Sequence, residues 1–254
     1  MFSVKPMRTL DFIEGEILYI DKPLGWTSFD AVKRIRGAIT RRLGVKKIKV
    51  GHAGTLDPLA TGVMIITTGR ATKRIEELQA GVKEYVATLE IGATTPSFDL
   101  ETKIDATYPA DHVTAEKVRE VLKRFTGRIE QIPPAFSAIK IDGKRAYKMA
   151  RKGQTPELKP KVLVIDSIEL EDFGDVPGGR KKAVIRVVCS KGTYIRALAR
   201  DIGLALESGA HLTALRRTRV GDVDIDSCDT VDRITETIKT APVAPIEKDI
   251  EEVK

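Results

Sequence analysis

Apolar residues along the chain recur at two spacings, and these predict both strands and helices. After Thr27 or Ser28, which can cap a helix, apolar residues follow at helical spacing up to Gly44, which ends it. Further helices are expected at 71–79, 114–125 and 193–208, and strands at 16–23, 63–68, 84–91, 161–170 and 182–190. The order lacks βαβ repetition. We therefore expect an α+β fold with a mixed or mostly antiparallel central sheet and peripheral helices.

Length and composition suit one large domain with a short addition. The chain has 254 residues, of which 42% are hydrophobic and 31% charged, enough for a packed core. Residues after Asp226 become polar and acidic and include Pro242 and Pro245. We expect a domain over 1–225, followed by a loose C-terminal segment over 226–254.

The net charge of +7 is unevenly distributed along the chain. Eight basic residues and no acidic ones fall between Ala31 and Val50, and a second basic run extends from Lys140 to Lys161. Each run could be a solvated helix face. Two such runs in one chain favour a polyanionic partner such as a nucleic acid.

Several classes of protein are disfavoured by what the sequence lacks. It has no apolar run of membrane-spanning length and no N-terminal signal pattern, and Cys189 and Cys228 give no disulfide framework. We expect both to be buried, reduced thiols in a cytoplasmic protein. The histidines are too scattered for metal-ligand spacing, so no metal site is expected.

The stretch GHAGTLDPLATG, residues 51–62, places Asp57 in a glycine-rich turn directly before Pro58. Asp before Pro is common in ordinary turns, where its side chain accepts backbone hydrogen bonds. An ionised carboxylate can also act as a nucleophile, provided that a cation holds it and water is excluded. The stretch by itself leaves both interpretations open.

Three other residues each have a structural and a chemical interpretation. Arg196, at the start of a predicted helix, could be a surface arginine or could bind a carboxylate bidentately. Tyr85, at the start of a strand, could be a core aromatic or could stack on a base and transfer a proton. His52 could be structural or could act as a wedge beside a flipped nucleotide. Spacing alone does not decide among these roles.

Ordered motifs over about residues 15–221 resemble the TruB family of pseudouridine synthases. GHAGTLDPLATG is similar to the family's catalytic motif, and KEYVATLEIGATTPSFD to its strand with the active-site tyrosine. The other resembling segments are DKPLGWTSFDAV, IPPAFSAIKIDGKRAYKMAR, KGTYIRALARDIG and LRRTRVG.

The resemblance implies the pseudouridine synthase fold, with a basic, thumb-like RNA-binding insertion at about 126–154. It implies a catalytic domain over 1–225 that isomerises uridine 55 in the TΨC loop of tRNA. Asp57 would be the nucleophile, Tyr85 the stacking and proton-transfer residue, and Arg196 the partner of Asp57. His52 would help to extrude the nucleotide, Tyr194 would line the pocket, and Leu215 would cover the base. Lys140, Lys148 and Arg151 would bind the RNA, and no cofactor or metal would be needed.

The resemblance also leaves alternatives. Many relatives carry a C-terminal PUA-type domain, and the 33 residues after Gly221 are too few for one. We therefore expect that neither guide RNA nor a protein partner is needed. We also expect a monomer. A guide-dependent rRNA synthase and a tRNA-folding chaperone are the alternatives.

Overall fold

The computed structural model describes residues 8–137, 139–141, 143–154 and 157–245. Its strands are β1 (Ile17–Lys22), β2 (Val50–Ala53), β3 (Ala60–Thr68), β4 (Lys83–Ile91), β5 (Ala93–Thr94), β6 (Ala106–Thr107), β7 (Gly127–Gln131), β8 (Lys140–Ile141), β9 (Lys144–Arg145), β10 (Lys161–Val176), β11 (Arg180–Cys189), β12 (Ala210–Val220), β13 (Val223–Asp224) and β14 (Asp229–Thr230). Its α-helices are α1 (Ser28–Leu43), α2 (Ile75–Ala80), α3 (Ala115–Lys123), α4 (Ala146–Ala150), α5 (Ile195–Ala205) and α6 (Val231–Thr240).

The chain divides into two compact units. The terminal unit comprises residues 1–81 and 219–254, and the middle unit comprises 82–218. The boundary predicted at 225/226 and the thumb predicted at 126–154 stay predictions. Among the described helices, none is long and apolar enough to cross a membrane.

The terminal unit is built around β1. This strand pairs in parallel with β14 and antiparallel with β3, whose second half also pairs with β2. Helices α1 and α6 pack against each other, and their apolar faces share one core with Phe12 and with Ile20 of β1. The core forms because α1 repeats apolar residues at helical spacing and buries that stripe.

Helix α1 begins and ends where the sequence predicts. Thr27 caps its first turn by accepting from the Asp30 backbone N–H, and the Asp30 carboxylate accepts from the Thr27 backbone N–H in return. Gly44 ends the helix with φ of 69°, which glycine adopts without steric cost. The start of α1 is therefore well fixed.

The middle unit is a mostly antiparallel sheet. Its strand order is β12–β4–β11–β10–β7, and the pairings β4–β11, β11–β10 and β10–β7 are antiparallel. Helix α3 packs on β10, and α5 packs on β4. Strand β4 alternates buried and half-buried residues along its whole length, as expected for a strand with one face in the core. The α+β class and the mixed, mostly antiparallel sheet are confirmed.

Three expectations are wrong in detail. The chain after Asp226 is not loose as far as it is described, because Val231, Ile234 and Ile238 of α6 lie in the core of the terminal unit. The strands predicted at 161–170 and 182–190 are longer than expected, because β10 runs to Val176 and β11 begins at Arg180, so that only residues 177–179 connect them. Cys189 is buried as expected, but Cys228 is only half-buried, and within the described residues neither forms a disulfide.

Candidate active site

Asp57 lies in the connection between β2 and β3 of the terminal unit. Glycines bend the chain on either side of it, because Gly54 and Gly62 have φ of 92° and 109°, a region that residues with a Cβ rarely adopt. The Asp57 carbonyl accepts from the Ala60 N–H at 3.1 Å, which closes a turn with Pro58 at its second position. Asp57 itself is half-buried.

The start of α1 and the loop before it hold both neighbours of Asp57. The Ser28 hydroxyl bonds to the backbone of Leu56, and the Gly25 N–H donates to the Pro58 carbonyl at 2.8 Å. The loop carrying Gly25 is itself ordered by Lys22, whose buried ammonium donates to the carbonyls of Pro23 and Trp26. The backbone around Asp57 is thus fixed by residues about 30 positions away in the sequence.

His52 also belongs to the terminal unit. It lies in β2, where it is paired opposite Ile66 of β3, and its side chain is half-buried. This places the imidazole five residues before Asp57, on the strand that leads into its turn.

Tyr85 lies on the buried face of β4 in the middle unit, where it is 8% exposed. Lys83 shares that face and is 5% exposed. Burial, with the positive charge of Arg217 nearby, lowers the pKa of Lys83 to about 8. Burial likewise raises the pKa of the Cys189 thiol, which pairs with Lys83 across β4 and β11, to about 11.

Arg196 lies in the first turn of α5 and is buried. Its guanidinium donates to the Phe136 carbonyl at 2.9 Å and to the Ser97 carbonyl at 3.4 Å. Its Nε atom lies 3.6 Å from an Asp99 carboxylate oxygen, which makes an ion pair. The interpretation of Arg196 as a surface arginine is therefore wrong, because the residue is desolvated and its group is fixed by several acceptors.

Tyr194 and Leu215 are half-buried residues of the middle unit. Tyr194 is the N-cap residue of α5, and its backbone N–H donates to the side-chain oxygen of buried Gln131 at 2.9 Å. Leu215 lies within β12, a strand that the sequence interpretation did not predict. Gln131 therefore helps to set the start of the helix that carries Arg196, and no sequence signal singled it out.

The predicted RNA-binding residues near α4 differ in their surroundings. Lys148 is exposed on α4. Arg151 is exposed too, but its guanidinium lies over the Tyr147 ring and is bonded to Glu101 at 2.6 Å. Lys140 lies in β8, and its side chain is outside the described residues.

The first basic run lies on the surface of the terminal unit. Arg36 is half-buried against the Phe29 ring, and the other members are exposed: Lys33, Arg34, Arg41, Arg42, Lys46, Lys47 and Lys49. Arg34 pairs with Asp232 and Arg42 donates to the Ala241 carbonyl, and the exposure of the other members leaves them available to a polyanion.

Two family models match the chain in succession. The model described as the TruB family pseudouridylate synthase N-terminal domain matches residues 41–195, more than half of the chain. The model described as the tRNA pseudouridylate synthase B C-terminal domain matches residues 196–248. The chain belongs to the TruB family. The resemblance inferred from the motifs and the expectation of a pseudouridine synthase enzyme are confirmed.

Relatives of this TruB family member cover most of its length. A protein of Phocaeicola vulgatus named tRNA pseudouridine synthase B is 68% identical over 227 residues, which are 89% of this chain and 94% of that protein. A protein of the same name from Bacteroides fragilis is 67% identical over 86% of this chain and 92% of that protein. Another from Flavobacterium johnsoniae is 50% identical over 86% of this chain and 94% of that protein.

Solved structures of the same fold also match. The archaeal box H/ACA sRNP Nop10–Cbf5 complex contains a chain that matches with a TM-score of 0.61 and 28% identity. The match covers 89% of this chain but 54% of that one, so this TruB family member spans about half of its length. The predicted pseudouridine synthase fold is confirmed.

Each unit of this TruB family member supplies a different kind of chemistry. The terminal unit offers a carboxylate on a rigid turn, and the middle unit offers a buried phenol and a buried guanidinium. Within the described residues, no group of three or more His, Cys, Asp or Glu side chains could hold a metal ion. The residues present suit nucleophilic and proton-transfer chemistry on an organic substrate.

Proposed function

We propose that the chain is a tRNA pseudouridine synthase that converts uridine 55, in the TΨC loop, to pseudouridine. The observation that carries the proposal is the Asp57 turn, a single carboxylate on a backbone fixed from both sides, in a chain of this family. Relatives named tRNA pseudouridine synthase B, up to 68% identical and matched over nearly their whole length, support tRNA as the substrate.

The reaction breaks the C1′–N1 bond of uridine and forms a C1′–C5 bond. The base gains a proton at N1 and loses one from C5, so atoms balance without water or a redox partner. The Asp57 carboxylate attacks C1′, assists the departure of the base from C1′, or adds to C6. All three routes need a carboxylate held beside the base, and the rigid turn suits that requirement.

The proposal also assigns roles to residues of the middle unit. Tyr85 stacks on the flipped uracil and transfers a proton, a role that its position on a rigid strand suits. Arg196 is proposed as the partner of the Asp57 carboxylate, because a guanidinium can bind a carboxylate through two parallel N–H donors. Tyr194 and Leu215 line and cover the base.

The uridine must leave its stack before it can react. Flipping a nucleotide costs about a few kcal/mol, which phosphate contacts elsewhere on the RNA offset. We propose that His52 fills the space left by the extruded nucleotide. The exposed basic residues of α1 and the loop after it, together with Lys140, Lys148 and Arg151, supply the phosphate contacts.

We further propose that the protein acts as a monomer in the cytoplasm without guide RNA or a protein partner. In the part of the chain that the structure describes, Cys189 and Cys228 form no disulfide, which suits a reducing compartment. The structural match to a chain of a box H/ACA sRNP favours guide-dependent action as the second candidate. The substrate assay must therefore distinguish the two.

The test incubates the purified protein with an unmodified tRNA transcript and maps pseudouridine by carbodiimide-blocked primer extension. A parallel reaction uses the isolated TΨC stem-loop, because single-stranded loops expose the bases that proteins read in RNA. We expect a stop at uridine 55 in both substrates. The specificity constant for the stem-loop should fall less than tenfold, below about 1.4 kcal/mol.

Each outcome bears on a different part of the proposal. Absence of pseudouridine from the full transcript would overturn the proposed function. Activity that requires an added guide RNA or accessory protein would replace the stand-alone reaction with the guide-dependent one. Size-exclusion chromatography with light scattering tests whether the protein is a monomer in solution.

A further inference from the structure

One serine hydroxyl contacts both backbone groups of the residue that precedes Asp57. Ser28 Oγ accepts from the Leu56 N–H at 2.8 Å and donates to the Leu56 carbonyl at 2.9 Å. Ser28 and Leu56 are each 4% exposed, so water does not compete for these bonds. Leu56 lies between β2 and β3, outside both strands. The Ser28 side chain thereby satisfies the two backbone groups that a neighbouring strand would otherwise bind.

The support for Ser28 is itself rigid. Ser28 is the first residue of α1, directly after the Thr27 cap and two residues before Asp30, which completes the capping box. Three residues earlier, Gly25 holds the Pro58 carbonyl on the other side of Asp57. The segment from Gly25 to Ser28 therefore hydrogen-bonds to the residue immediately before Asp57 and to the residue immediately after it.

We propose that Ser28 is a positioning residue that sets the direction of the Asp57 carboxylate, an inference that rests on the proposed function. Fixing the N–H and the carbonyl of Leu56 fixes the peptide plane from which Asp57 departs, and hence its Cα–Cβ direction. Pro58 and the turn hydrogen bond fix the other side. Ser28 touches no reacting atom, so it acts only through the backbone.

The expected cost of removing the hydroxyl follows from this geometry. Without it the Leu56 peptide can rotate, and a misplacement of about 1 Å at a reacting group can lower a rate by about 10²-fold. RNA affinity should change little, because phosphate contacts come from other residues. A merely structural serine would instead lower stability without selectively lowering the chemical rate.

The test compares Ser28→Ala with Thr230→Ala. Thr230 caps α6 in the same unit by accepting from the Arg233 N–H at 3.2 Å, so Thr230→Ala also removes a bond from a side-chain hydroxyl to the backbone at a helix start, in this case an exposed one. For each variant, thermal unfolding, the dissociation constant for tRNA, and the single-turnover rate at saturating enzyme are measured. Ser28→Thr, which restores a hydroxyl, and Ser28→Cys, which keeps the volume with a weaker hydrogen-bonding group, complete the series.

We expect the single-turnover rate of Ser28→Ala to fall at least tenfold with the dissociation constant within threefold. Thr230→Ala should stay within twofold of wild type. Ser28→Thr should exceed Ser28→Ala in rate, and Ser28→Cys should lie between Ser28→Ala and wild type. If Ser28→Ala does not fold, the same tenfold criterion applies to Ser28→Cys.

Two failures are distinguishable. If wild type does not isomerise uridine, the proposed function fails and Ser28 has nothing to position. If wild type is active but Ser28→Ala, or Ser28→Cys in its place, is within twofold of Thr230→Ala, the positioning role alone is refuted.

Discussion

Replacing Lys83 with methionine removes an ammonium group that the middle unit buries, and this should change how stability depends on pH. The side chain lies on the inner face of β4, close to the positive charge of Arg217. Burial first, and that charge second, lower the pKa of Lys83 from 10.5 to about 8. The unfolded chain therefore holds this proton over a pH range in which the folded chain has released it.

The sign and size of the effect follow from linkage. The stabilisation linked to Lys83 is fully present above about pH 10.5 and is lost as pH falls through 8. Between pH 7.5 and 10.5 it amounts to about 3 kcal/mol in the free energy of unfolding. The Cys189 thiol has the opposite effect on how the free energy of unfolding depends on pH. Its pKa is raised from 9.0 to about 11, so its contribution is present below pH 9 and decreases by about 2 kcal/mol by pH 10.5.

The assay is urea unfolding of wild type, Lys83→Met, Cys189→Ala and the control Lys123→Met, which replaces an exposed lysine of the same unit. The quantity compared is the change in unfolding free energy from pH 7.5 to 10.5. Relative to wild type, it should be about 3 kcal/mol lower in Lys83→Met and about 2 kcal/mol higher in Cys189→Ala, with Lys123→Met unchanged. A Lys83→Met variant that follows the wild-type pH course would refute the inferred burial of this charge.

The remaining predictions concern the proposed chemistry and RNA binding. Arg196→Lys should lower turnover at least 100-fold, because an ammonium cannot serve the several acceptors around the guanidinium; near-normal turnover would remove Arg196 from the site. Tyr85→Phe should bind tRNA within threefold but lose turnover, and full activity would leave Tyr85 a stacking role only. Arg41→Ala and Lys148→Ala should each lower the salt slope of tRNA binding by about 0.7 to 0.9, whereas unchanged slopes in both would make these residues part of solvated faces.

Local signals explain why α1 was predictable in full. Its cap, its apolar stripe and its terminating glycine are all encoded within 18 residues, so no distant contact is needed to recognise it. The same holds for β1 and β4, whose alternation or apolar run is bounded by turn residues.

Other elements were missed because tertiary burial overrides their polar composition. Strand β12 buries His211 and Arg217, so it shows no clean apolar alternation. Helix α6 does repeat apolar residues at helical spacing, at Val231, Ile234 and Ile238, but only these three positions interrupt a polar segment. The extended ends of β10 and β11 carry exposed cross-strand ion pairs such as Lys182 with Asp172 at 2.8 Å. Charged pairs of this kind are indistinguishable from loop residues in a single sequence.

The residues of the candidate site likewise divide into those that local motifs identify and those that only tertiary contacts reveal. Asp57, Tyr85 and Arg196 were recognisable because motifs resembling one family carry them. Ser28 was predicted only as a possible helix cap, since its bonds to Leu56 join residues 28 positions apart. Gln131 was not predicted at all, because its contact with Tyr194 depends on the packing of β7 against the start of α5.

The central claim is that the Asp57 carboxylate carries out the isomerisation, and Asp57→Asn tests it most directly. The amide keeps the size and shape of the side chain but removes its charge. In single-turnover reactions with an unmodified tRNA transcript, pseudouridine formation at uridine 55 should become undetectable while tRNA affinity stays within about threefold of wild type, because phosphate contacts come from other residues. Asp57→Asn turnover within tenfold of wild type would contradict the account.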